Sequence, residues 1–204
     1  MMLTEETTLA SAELPLAAFK AHLHLGTGFA EDNLQDALLE GFLRASMAAI
    51  EARIGKVLLE RGFVLELTRW ADPAGQPLPL APVTEVTSVM LRDAQGGETP
   101  VPVARWRLER DMQRPCLRAA GGVLPAIPQG GTALLRFRAG LSDDWLGLPA
   151  DLAQAVLLLA AHFYEYRQDT GLGSGCMPFG VTSLIERYRS LRLTMGVPGN
   201  GGAA

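Results

Sequence analysis

The segment PADLAQAVLLLAAHFYEYR, residues 149–167, decides the fold. Pro149 is placed for the first turn of a helix, where its missing N–H is not needed. From Leu152 to Tyr164 the run is apolar on nearly every side, interrupted only by Gln154 and His162. It is too short for a membrane span, which needs roughly 20 apolar residues. A helix apolar all round has to be buried all round, and a 204-residue chain with three or four helices can scarcely enclose one unaided. The segment therefore predicts a central packed helix in a chain that oligomerises.

Towards the N-terminus, a second helix is expected to begin after Glu31 and Asp32, whose charges suit the positive end of a helix dipole, and to run to Ile54. Gly55 is its terminator. This helix carries two adjacent apolar stripes: Leu34, Leu38, Phe42, Ala45, Ala49 and Ala52, then Leu39, Leu43, Met47, Ile50 and Ile54. One stripe would suffice for the core of a single chain. A shorter amphipathic helix is expected from Pro15 to about Leu25, with Gly26 as its stop. Towards the C-terminus, after the loop TGLGSGCMPFG, Ser183 and Glu186 have capping-box spacing for the start of a last helix ending near Met195.

Between these helices the character changes, because nine of the thirteen prolines lie between Pro73 and Pro128 and exclude long helices. FVLELTRW, VTEVTSVMLRD, ARWRLER and TALLRFRA each alternate with period two between turn residues, and DAQGG at 93–97 reads as a hairpin turn. Arg105 and Arg107 share one strand face, as do Arg136 and Arg138, while Trp106, Leu108, Leu135 and Phe137 take the other. The expectation is one sheet with one buried side. The fold class is thus α+β: a bundle of about four helices with a β-rich segment inserted between the N-terminal and C-terminal helices. A flexible segment 1–13 would precede a single domain, 14–195, and a flexible tail, 196–204, would follow it. Within the domain, 14–56 and 149–195 are helical and 57–148 is the β-rich insertion.

Composition narrows the function. Eighteen Lys and Arg against 22 Asp and Glu give 18 − 22 = −4, with a pI near 5.4, which excludes nucleic-acid binding by bulk positive charge. Two cysteines, Cys116 and Cys176, make no disulfide framework, and the acidic opening MMLTEETTLASAE is unlike a signal peptide, so folding in a reducing cytoplasm is expected.

Candidate chemistry is sparse. His22 and His24 are two apart on a helix and point to different faces, unlike a metal pair. His162 and Glu165 share a face at i, i+3, the spacing of di-iron bundles, but those need two such pairs and further carboxylates. Cys176 sits in a glycine-rich loop without the partners of a nucleophile, and GLGSG lacks the Lys-Ser/Thr ending of a phosphate loop and follows a helix. No cofactor, metal or catalytic centre is predicted. Arg187, Arg189 and Arg192 decorate the last helix, either as a solvated face whose charge suits a helix C-terminus or as a docking face for an acidic partner.

Taken in order, LPADLAQAVLLLAAHFYEYRQDT and MPFGVTSLIERYRSLRL resemble the C-terminal signature of the head-tail connector (adaptor) proteins of long-tailed bacteriophages. The matching positions are Pro149, the run to His162, Phe163, Tyr164, Glu165 and Arg167, then Pro178, Gly180, Val181, Tyr188 and Arg189. LPLAAFKAHLHLG resembles the family's opening helix, and LPLAPVTEVTSVMLRDAQG its central strand and turn, so the resemblance spans roughly residues 12 to 192. The Arg-rich, Lys-poor composition also suits a gene transfer agent, a domesticated phage particle.

The resemblance implies a structural virion protein without enzymatic activity. It would form a closed ring of twelvefold order under the portal, above the tail's stopper or terminator proteins, with DNA passing through the lumen. It would be made in the bacterial cytoplasm and reside at the head-tail junction, with no membrane partner. It further implies that Arg187, Arg189 and Arg192 dock on the portal. Leu39, Leu43, Met47, Ile50, Leu157, Leu158 and Phe163 would pack in the core or between subunits. A ring of acidic subunits would also repel DNA phosphates and discourage sticking. The competing expectations are a tail-side stopper or terminator ring, a small enzyme using His162, Glu165 and Cys176, and a DNA-binding module using Arg105, Arg107, Arg136 and Arg138.

Overall fold

The computed structural model of the chain describes residues 1–24, 35–167 and 177–189. Four helices, α1 (Leu16–His22), α2 (Asp36–Ile54), α3 (Ala150–Glu165) and α4 (Phe179–Ile185), flank a β-rich middle, which makes the chain α+β. None of the described helices is long and apolar enough to cross a membrane.

The helices share one core. α3 packs against α2 on one side and α4 on another, and α1 lies across α2 and α3. Leu39, Leu43, Met47, Ile50 and Ile54 of α2 meet Leu152, Ala155, Val156, Leu159 and Ala160 of α3, with Phe19 from α1 and Val181 and Ile185 from α4. Of the two stripes on α2, the core thus takes the one running from Leu39 to Ile54. α2 ends as its sequence requires, because Gly55 adopts the left-handed conformation (φ 70°) that costs a residue with a Cβ about 1–2 kcal/mol, and its N–H caps the Glu51 carbonyl.

The middle is built from two antiparallel sheets, not the one expected. Five strands, β1 (Met2–Glu5), β2 (Arg61–Leu67), β4 (Val83–Arg92), β5 (Glu98–Pro100) and β8 (Thr132–Ala139), form a sheet in the order β1-β2-β8-β4-β5. Three shorter ones, β3 (Gly75–Pro77), β6 (Trp106–Glu109) and β7 (Cys116–Ala119), pair as β3-β7-β6. Phe63, Leu65, Val89, Leu135 and Phe137 from the larger sheet and Trp106 and Leu117 from the smaller share one core. The alternation read in TALLRFRA places Ala133, Leu135, Phe137 and Ala139 inward and Arg136 and Arg138 outward. The DAQGG turn joins β4 to β5, closed by Asp93 N–H donating to the Gly97 carbonyl at 2.9 Å.

Three further expectations need correction. Residues 2–5, placed in a flexible segment, form β1 at the edge of the larger sheet, although all four side chains are exposed. What holds them is backbone pairing with β2 together with the ion pairs Glu5–Arg61 (3.2 Å) and Glu6–Arg136 (3.0 Å). Arg105 lies in a short 3-10 turn and only Arg107 on a strand, and both belong to the smaller sheet's segment while Arg136 and Arg138 belong to the larger. The four arginines are therefore not one patch. The last helix starts at Phe179 with Pro178 at its N-cap, so Ser183 is mid-helix, and Glu186 opens a 3-10 turn through Tyr188. Residues 25–34, which hold Leu34 and the expected ends of the first and second helices, lie outside the described residues.

Candidate interaction site at the C-terminal turn

The arginines expected to dock a partner sit where α4 runs into the 3-10 turn Glu186–Tyr188. Val181 and Ile185 of α4 are buried in the core, with Leu184 packed at its margin, and beyond Ile185 the chain tightens into a 3-10 turn and leaves as extended backbone at Arg189. Exposed as it is, this turn is tied to three other elements.

The first tie is to the N-terminus of α3, where Asp151 occupies the first turn and its charge suits the helix dipole. The Tyr188 hydroxyl donates to Asp151 Oδ1 at 2.8 Å, Arg187 Nε lies 2.9 Å from Asp151 Oδ2, and Arg187 Nη2 donates to the Tyr188 hydroxyl. The Arg187 guanidinium also stands 4.8 Å from the centre of the Tyr188 ring. Burial pushes the Tyr188 hydroxyl up from its ordinary range, against the hydrogen bond from Arg187, which lowers it.

The second and third ties meet at one ammonium group. Lys56, directly after the Gly55 cap, is 3% exposed and donates to the Tyr188 carbonyl at 2.8 Å and to Gln113 Oε1, in the connection between β6 and β7, at 2.7 Å. Burial lowers its pKa from the ordinary lysine value, while the charge of nearby Asp111 works in the other direction. Asp111 is itself held below the usual carboxylate range by the backbone N–H groups of Gln113 and Arg114.

This arrangement gives a prediction with a definite sign. The unfolded chain binds a proton on Lys56 up to its higher, unperturbed pKa, so stability must rise with pH between the lowered folded value and about 10.5. The neutral amine keeps two hydrogens for its two acceptors. Relative to Lys56→Met, the wild-type chain should gain stability as the pH approaches 10.5 and hold a constant difference near neutrality. Chemical denaturation of both proteins across that range measures it, and a flat difference throughout would contradict the assignment.

Arg189 is paired with Glu186 at 3.0 Å, three residues away, and Arg192 lies outside the described residues. The site as seen is thus two exposed cations already committed to carboxylates of their own chain. Such exposed pairs contribute about 0–1 kcal/mol each, so exchanging them for another carboxylate costs little. Sequence reasoning found the arginines but missed Asp151, Lys56 and Gln113. The one available signal was Lys56 itself, one of only two lysines, placed directly after a helix stop.

The residues expected to pack in the core or between subunits divide into two groups. Leu39, Leu43, Met47 and Ile50 are buried within the chain, whereas Leu157, Leu158 and Phe163 are half-buried at the margin of the helical core. His162 is half-buried with its ring 4.7 Å from that of Tyr166, and Glu165 is exposed. Cys176 lies outside the described residues, and among those described no cluster of three metal-capable side chains occurs. The outward arginines of the larger sheet are engaged: Arg136 with Glu6 at 3.0 Å and Arg138 with Glu60 at 2.8 Å. Burial pushes the Glu60 carboxyl up, but hydrogen bonds from Arg138 and Thr84 outweigh it and its pKa is lowered.

No protein-family model matches the chain, and no curated protein does. Solved structures do. A chain in the neck of an empty gene transfer agent particle, computed with C6 symmetry, is 52% identical over 97% of this chain and 100% of its own, with a TM-score of 0.87. A chain in the neck of the native particle, computed with C12 symmetry, is 49% identical over 97% of this chain and 100% of its own, with a TM-score of 0.82. A chain in the virion of the native gene transfer agent particle is 52% identical over 96% of this chain and 99% of its own, with a TM-score of 0.83.

Proposed function

The chain belongs to the family of gene transfer agent neck proteins, structural components of the particle, and from that premise we propose that it is the adaptor of the neck. In this reading twelve copies close into a ring under the portal, the tail's stopper or terminator proteins attach below, and DNA passes through the lumen. The observation that carries it is the match of nearly the whole chain to neck chains whose structures were computed with C12 and C6 symmetry. A ring of twelve satisfies both, because sixfold symmetry is contained in twelvefold. The C-terminal signature running from Pro149 to Arg189, which resembles that of phage adaptors, favours the portal side of the neck.

Charge fits a conduit. At −4 per chain, a ring of twelve carries on the order of tens of negative charges, which repel phosphates and keep DNA from adhering. The outward arginines of the larger sheet do not reverse this, since Arg136 and Arg138 are each held by a glutamate.

On the same reading Arg187 and Arg189 of the C-terminal turn, together with Arg192, dock on the portal. Leu157, Leu158 and Phe163 lie against neighbouring subunits. Reversing the arginines to Glu would set Arg187 against Asp151 and Arg189 against Glu186, so neutral substitutions make the cleaner test. In cells that lack the wild-type chain, particles should stop at DNA-filled heads without tails. Wild-type protein should restore tails, and the triple Arg→Gln variant, though folded, should not. Normally tailed particles with the triple variant would overturn the docking role. Tails that carry the chain but cannot join heads would instead place the ring on the tail side.

A further inference from the structure

One face of the structure has no partner among the described residues. Leu38, Gly41, Ala45, Ala48 and Ala52 of α2 are exposed and, at 100° per residue, fall within an arc of about 80°. A helix face turned to water normally carries charged and polar side chains. Here the charged residues between Asp36 and Arg53 point elsewhere and are in use. Glu40 accepts from Ser11 Oγ at 2.6 Å, Arg44 donates to the Leu9 carbonyl at 2.9 Å, and Glu51 holds Arg61 at 2.8 Å. What is left facing outward along four turns is methyl groups, a glycine and a leucine that is 49% exposed.

Gly41 is the independent sign. It lies inside the helix, where glycine is less stable than alanine by about 0.5–1 kcal/mol. A Cβ placed on it would meet no atom of the described residues within 4 Å. Among the described residues neither packing nor backbone conformation calls for glycine there. A small residue on an exposed apolar helix face does, however, let another backbone come close.

We infer that the outward face of α2 is one half of the contact between neighbouring copies of this chain in the ring, an assignment that rests on the ring reading above. The occupant is a second copy because a closed ring needs a head-to-tail interface made of two different faces on every subunit. The neck chains that match this one over nearly its full length belong to rotationally symmetric assemblies. The stripe from Leu39 to Ile54 fills the subunit's own core, and the outward face supplies the neighbour's contact.

The test uses the full chain in assembled particles, with a small diazirine amino acid in place of Leu38. Irradiation should give an adduct of two copies of this chain. Adducts only with the portal or a tail protein, or none at all from chains present in the neck, would overturn the inference while leaving the ring reading in place. In parallel, Ala45→Arg should keep the wild-type melting temperature and Gly41→Leu should keep or raise it, yet both should reduce incorporation into necks at least tenfold, with Ala45→Ser as wild type. Equal incorporation of both bulky variants would also overturn it. A wild-type chain that never enters necks would overturn the ring reading and the interface together.

Discussion

Phe137→Ala is expected to lower the stability of the folded chain by about 3–5 kcal/mol, the cost of truncating a fully buried aromatic. Phe137 is 1% exposed and lies in β8, the central strand of the larger sheet, where it pairs with Phe63 of β2 and stacks on it with ring centres 5.8 Å apart. Its loss leaves a void between two sheets whose backbones are fixed by pairing on both sides of β8, so little collapse can fill it. Set against a usual domain stability of about 5–15 kcal/mol, a change of this size removes about a fifth of the total or more. The shift in denaturation midpoint measures it, and a loss below about 1 kcal/mol would show that the two sheets do not share one core.

The second large effect concerns the buried ion pair that joins the helices to the larger sheet. Arg61 opens β2 at 8% exposure, and Glu51 of α2 meets it through two hydrogen bonds of 2.8 and 3.1 Å. Glu51 also accepts the Leu58 N–H at 2.8 Å. Glu51→Ala strands a buried guanidinium, a change that ordinarily costs about 3–5 kcal/mol. The lower end applies because Glu5 remains 3.2 Å from Arg61 Nε. Removing both partners as Glu51→Leu with Arg61→Met should recover part of the loss. The double variant stays about 1–2 kcal/mol below wild type, because the Leu58 N–H no longer has its acceptor. A double variant no more stable than Glu51→Ala would mean that the pair is not coupled.

Some of this architecture was legible in the chain and some was not, for physical reasons. α2, α3 and the strands β2, β4 and β8 declare themselves through long periodic patterns and firm punctuation, as in Gly55 after Ile54 and Pro149 before Ala150. β1 does not, because it exposes every side chain and is held by pairing to residues some sixty positions away. β3, β5 and β7, at three or four residues, are too short to alternate recognisably. Their division into two sheets depends on pairings such as Gln76 with Leu117 that no local pattern encodes. The start of α4 was misplaced because Ser183 and Glu186 imitate a cap, while Pro178 does the capping five residues earlier.

The candidate site was half legible. Charge alone marks Arg187 and Arg189, but their partners Asp151 and Glu186, and Lys56 beneath the Tyr188 carbonyl, emerge only when α3, α4 and the exit of α2 converge. The two stripes on α2 were visible from the start, and the structure resolves which one the core takes.

The central claim is that this chain completes a ring on the portal. The most direct measurement is its mass in solution by light scattering coupled to size exclusion, alone and then mixed with purified portal rings. The account predicts a monomer or small oligomer that joins the portal at a fixed stoichiometry of about twelve chains, closing a head-to-tail interface on docking. A stable small oligomer whose mass does not change in the presence of portal would contradict it.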